Sequence, residues 1–86
     1  MRLTAELSLY PLQEDYIPVI DAFIAELNTP PGLTVITNAM STQVSGDYDA
    51  VFALVKSALA HSVETFGRQV LVCKFIADDL LAEDGG

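Results

Sequence analysis

Leu3-Thr4-Ala5-Glu6-Leu7-Ser8-Leu9-Tyr10 alternates strictly between apolar and polar or bulky side chains. Leu3, Ala5, Leu7 and Leu9 share one side of an extended chain, and Thr4, Glu6, Ser8 and Tyr10 share the other. A period of two over this length predicts a strand with one face against a core. Pro11 ends it, because proline has no amide proton for the ladder.

Working outward, residues 16–27 change to helical spacing. Tyr16, Ile20, Phe23, Ile24 and Leu27 form one predicted stripe. Glu14 or Asp15 is the expected cap, and Pro18 is tolerated in a first turn. Asn28-Thr29-Pro30-Pro31-Gly32 stops the helix. Residues 33–39 are rich in β-branched side chains and read as a second strand, and residues 40–45 read as a third after a tight turn near Asn38 and Ala39. Asp47 then suits the N-cap of a second helix, whose stripe runs through Tyr48, Val51, Phe52, Val55, Ala58, Leu59, Ser62 and Val63. Gly67 is its expected stop. Residues 68–76 read as a last strand that is apolar on both faces, with Val70 and Val72 on one and Leu71, Cys73 and Phe75 on the other.

The order is βαββαβ. Right-handed crossovers close it into a ferredoxin-like α+β sandwich, a four-stranded antiparallel sheet with both helices on one face and strand order 4-1-3-2. Residues 1–78 form the expected single domain. Residues 79–86 form an acidic C-terminal tail, expected to fray, although Leu80 and Leu81 offer docking groups. The face away from the helices is left with a large apolar area, which marks an interface. A homodimer, or a dimer of dimers, is the economical cover.

The chain has 86 residues, enough for one core, and a domain of this size buries only about 60–65% of its unfolded surface. Twelve acidic residues against four basic ones give a net charge of −8, which argues against nucleic acid or an anionic membrane surface as partner. No apolar block resembles a signal peptide or a membrane span, so the cytoplasm is the expected location.

Catalytic materials are sparse. Cys73 lies in an apolar run and reads as a structural thiol. His61 with Glu64 is too small a set for a metal, and one cysteine cannot hold an iron–sulfur cluster. With no phosphate loop and no nucleophile–base pair in view, neither an enzyme nor a cofactor is expected. What stands out is a polar cluster on probable central strands: Glu6, Ser8 and Tyr10 on the first, Ser41, Thr42 and Gln43 on the third. Such groups either pair across the sheet or a dimer interface, or line a small-molecule pocket. A one-residue slip in the third strand would exchange Ser41 and Gln43 for Thr42 and Val44, so the residues alone leave its faces open.

Ser8-Leu9-Tyr10-Pro11-Leu12 is similar to the Ser-Leu-Tyr-Pro signature that ends the first strand in YkoF-like proteins. Met40-Ser41-Thr42-Gln43-Val44-Ser45-Gly46 resembles that family's Ser-Thr strand, and residues 49–59 look like the helix after it. The resemblance spans residues 5–76. It implies non-enzymatic binding of thiamine or its hydroxymethylpyrimidine precursor, in support of uptake or salvage. YkoF itself looks like two such repeats in tandem, so a homodimer of this chain would supply the second half; single-domain thiamine-binding relatives are closer in length. Under this reading Glu6 accepts from the exocyclic amine, the hydroxyls of Ser8, Ser41 and Thr42 donate or accept, Gln43 adds an amide, and Tyr10 stacks or donates. The competing expectation is a structural or regulatory dimeric interaction module with no small-molecule ligand.

Overall fold

The computed structural model describes residues 1–81. Its elements run β1 (Arg2–Pro11), α1 (Ile17–Leu27), β2 (Thr34–Thr37), β3 (Thr42–Asp47), α2 (Tyr48–Phe66) and β4 (Gln69–Ile76). The sheet order is β2-β3-β1-β4 and all pairings are antiparallel. This is the expected ferredoxin-like sandwich, with β1 and β3 in the centre.

The alternation of β1 sets the two faces. Leu3, Ala5, Leu7 and Leu9 are buried with Val44 of β3, Val19, Phe23 and Leu27 of α1, and Val51, Leu54 and Ala58 of α2. Each large side chain removed from water in this layer contributes about 1.5–3 kcal/mol. Asp47 caps α2 by accepting from the Ala50 amide at 3.1 Å. Gly67, at φ +96°, ends it in the left-handed region, with its amide donating to the Val63 carbonyl at 2.8 Å.

Several details differ from the sequence expectation. α1 starts after Tyr16 with no side-chain cap, so neither Glu14 nor Asp15 serves that end. Its buried face is Val19, Phe23 and Leu27, while Tyr16 is exposed. On α2, Leu54 replaces Phe52 in the core, because Phe52 turns outward and stacks on Phe75 with ring centroids 4.5 Å apart. Tyr48 packs edge-on against Phe52 and, like Val63, is not buried.

The third strand begins at Thr42, two residues later than expected, and runs on to Asp47. Asn38 causes the delay. Its side-chain carbonyl accepts from the amides of Met40 and Ser41 at 2.9 and 3.1 Å, and its own amide donates to the Ser41 carbonyl at 3.0 Å. Residues 38–41 are thereby committed to a tight turn. The register that follows, Leu7↔Thr42 and Ala5↔Val44, settles the faces: Thr42 and Val44 point to the helices, and Ser41 and Gln43 point away.

The chain after β4 folds back over the open face. The Thr4 hydroxyl donates to the Asp78 carbonyl at 2.8 Å and accepts from the Leu80 amide at 3.0 Å. The Ser45 hydroxyl donates to Asp79, and the Arg2 guanidinium donates to the same carboxylate through Nε and Nη2 at 3.0 and 2.8 Å. Leu81 is buried as a result. The fraying expected at the far end of the acidic tail, residues 82–86, lies outside the described residues.

This latch is testable. Replacing Asp79 by Ala removes a mostly covered charged acceptor and leaves Ser45 and Arg2 without it, at an expected cost of about 1–2 kcal/mol in a urea unfolding curve.

Candidate functional site

The end of β1, the outer half of α1 and the turn between β2 and β3 enclose a cleft of about 180 Å³. Its floor is Leu7 and Leu9 on the sheet. Its opposite wall is Ile20, Phe23 and Ile24, which α1 presents at helical spacing. The tight turn of residues 38–41 forms its end. Thr42 stands at the base, only 5% exposed, with its hydroxyl 3.0 Å from that of Thr37 across the β2–β3 ladder. Ser8, Tyr10 and Ser41 also contribute to the lining. An apolar cleft with a few fixed polar atoms is the usual make-up of a small-molecule site, and this one is smaller than the usual pocket volume.

The opposite sheet face carries a different arrangement. Ser41 donates to Glu6 Oε2 at 2.9 Å and accepts from Gln43 Nε2 at 2.7 Å. The Lys74 ammonium lies 3.7 Å from Glu6 Oε1. Glu6 and Gln43 face a second, more open depression of about 340 Å³, walled by Ile76, Leu80 and Leu81. Around this polar centre stand exposed apolar side chains: Tyr10, Ile36, Val70, Val72 and Ile76.

The six residues singled out from the sequence therefore fall on two sides of the sheet. Thr42 faces the helices. Glu6, Ser41 and Gln43 form one hydrogen-bonded chain on the open face. Ser8 and Tyr10, by the alternation of β1, carry their side chains on that same open face, at the end of the strand that borders the cleft. Sequence reasoning missed Thr37, Ile20, Phe23 and Asn38 as parts of the cleft. Asn38 had a readable signal, an asparagine directly after a β-branched run, where Asx turns form.

Other reactive groups stand apart. His61 Nδ1 is 3.9 Å from Glu26, joining the two helices at their outer surface. Among the described residues no group of three or more His, Cys, Asp or Glu side chains could hold a metal ion. No helix among them is long and apolar enough to cross a membrane.

Residues 2–77 match the YKOF-related Family. The chain belongs to that family. Solved structures agree with the assignment of fold. A protein from Streptococcus pneumoniae is 25% identical with a TM-score of 0.85, over 99% of this chain and 96% of that one. A protein from Thermotoga maritima, named as a candidate thiamine biosynthesis or salvage protein, is 20% identical with a TM-score of 0.84, over 99% and 95%. A hypothetical protein from Methanocaldococcus jannaschii is 26% identical with a TM-score of 0.78, over 92% and 82%. No curated protein matches the sequence.

Cys73 lies on the helix-facing side of β4, and burial pushes its thiol pKa up. A raised pKa means less thiolate at a given pH, and thiolate is the reacting form. Alkylation by iodoacetamide at pH 8 is expected to be slower in the folded chain than in urea; equal rates would contradict the assigned environment.

Proposed function

We propose that this YkoF-family chain binds thiamine or its hydroxymethylpyrimidine precursor in the cleft beneath α1, without transforming it, in support of thiamine uptake or salvage in the cytoplasm. The observation that carries the reading is the cleft itself, lined by Leu7, Leu9, Ile20, Phe23 and Ile24, with the Thr37–Thr42 hydroxyl pair at its base. A small ring suits an apolar cleft of this kind, and the hydroxyls supply directional contacts. The name of the Thermotoga relative supports the thiamine class. The net charge of −8 favours a cationic thiazolium over an anionic ligand. In this reading Thr42 touches the ring and Ser8 and Tyr10 border the mouth, while Glu6, Ser41 and Gln43 bond to one another on the opposite face of the sheet.

Isothermal titration with thiamine and with hydroxymethylpyrimidine tests the proposal. Saturable heat is expected from at least one of them, and Thr42→Val is expected to weaken it by roughly tenfold, the worth of a well-placed hydrogen bond. Absence of heat at high micromolar ligand would sink the reading.

A second reading concerns assembly, and the open face favours it. Val70 and Val72 are 47% and 45% exposed there, beside Tyr10, Ile36 and Ile76. One lysine and one carboxylate, Lys74 and Glu6, sit within that apolar frame, a combination that is self-complementary, as an isologous contact between two copies requires. A homodimer, alone or paired into a dimer of dimers, is the proposed state, and it coexists with ligand binding. Val72→Glu is expected to lower the mass measured by analytical ultracentrifugation to that of one chain; a wild-type chain that sediments as a monomer at high micromolar concentration would refute the assembly.

A further inference from the structure

α1 carries little polar surface for a helix on the outside of a sandwich. Between Ile17 and Leu27 its polar side chains are Asp21 and Glu26. Val19, Phe23 and Leu27 are buried in the core, and Glu26 turns toward α2, where it meets His61. The side opposite the buried one is made by Ile17, Asp21, Ile24 and Ala25, which follow one another at spacings of three and four residues. Ile17 is 60% exposed, and Tyr16, directly before it, is 50% exposed. α2 has the ordinary outer face instead, with Asp49, Lys56, Glu64 and Thr65 in water. A helix that is apolar on more than one side is normally covered on more than one side.

Asp21 stands in the middle of that outer face. Among the described residues no side-chain hydrogen bond or ion pair engages its carboxylate. Glu14 and Asp15 are exposed just before the helix, and residues 12–28 contain no Lys, Arg or His. Basic groups flank this surface rather than enter it: His61 meets Glu26 on the α2 side, and Arg68 lies beside Leu12 through its carbonyl. A twofold contact between two copies centred here would set Asp21 against Asp21, on chains that each carry a net charge of −8. Like charges juxtaposed across an interface work against association, so a second copy is the wrong cover.

We propose that the outer face of α1 docks a different protein, through a basic amphipathic helix. Its apolar stripe covers Ile17 and Ile24, which stand two turns apart, and a Lys or Arg within that stripe reaches Asp21 between them. Glu14 and Asp15 extend the acidic border for further basic residues. Ile24 also lines the cleft, so the docked helix lies beside the cleft mouth. Docking there is independent of what the cleft holds.

The probe is a peptide of about 18 residues in which leucine and lysine alternate at helical spacing, with a counterpart carrying glutamate in place of lysine. In a ¹⁵N-edited NMR titration at about 0.15 M salt, the lysine peptide is expected to bind and the glutamate peptide is not. The amides that move are expected to lie in residues 12–25. Asp21→Lys is expected to weaken binding at least about tenfold, and Ile17→Ser to weaken it as well. Glu64→Lys, the same charge change on the exposed side of α2, is expected to change it less than about twofold, because exposed charges far from the contact are screened. Failure of the lysine peptide to bind, equal weakening by Asp21→Lys and Glu64→Lys, or shifts spread over α2 would each overturn the inference. So would an Ile17→Ser chain that sediments at a lower mass than the wild type, because a second copy would then be the cover. None of these outcomes bears on the ligand reading, which is tested with thiamine and hydroxymethylpyrimidine.

Discussion

The ladder between β1 and β3 stops at Leu7↔Thr42, and the rest of the site depends on where it stops. Asn38 sets that point. Its side chain accepts from two successive amides, Met40 and Ser41, and folds four residues into a turn that cannot extend the ladder. A longer hairpin would continue beside β1 and close the gap under α1. With the short one, β1 goes on to Pro11 paired on the β4 side alone. The helix α1 covers the uncovered stretch from above with Ile20, Phe23 and Ile24. A cleft results at the middle of a sheet, where a four-stranded sandwich would otherwise be solid core.

The same stop fixes which side chains face which way. Thr42 becomes the first residue of β3 and turns inward, and Ser41, the last residue of the turn, points outward. The sequence could specify the faces of β1 because its apolar residues occupy one parity only. For β3 the pattern is weaker: Ser41, Gln43 and Ser45 are all polar, and Thr42 interrupts the other parity between Met40 and Val44, so burial favours the observed register through little more than Val44. The deciding contacts are side chain to main chain within the turn, and the ladder to β1 that follows. Both depend on geometry that hydrophobic pattern does not record.

Helix faces were legible to within a rotation. The 3.6-residue period of α2 was plain, but two stripes were available, one through Phe52 and one through Leu54. The stack of Phe52 on Phe75 holds the aromatic side chain at the sheet margin and brings Leu54 inward. On α1, Pro18 in the first turn and the absence of an acidic cap leave Val19 as the first buried residue. The latch after β4 was legible only as two leucines able to dock, Leu80 and Leu81. Its cause is the hydroxyl pair Thr4 and Ser45, directly opposite one another on the open face. In a single sequence such residues look like ordinary outward-facing strand positions.

A count of hydroxyl protons assigns roles to the polar residues. Ser41 has one proton and gives it to Glu6, while Gln43 occupies one of its lone pairs. Although Ser41 borders the cleft, its hydroxyl is committed to the opposite face. Thr37 and Thr42 share one bond between two hydroxyls, so one proton of the pair remains to be given. The threonine pair at the base thus offers the cleft one hydroxyl donor and several lone pairs, and no charge.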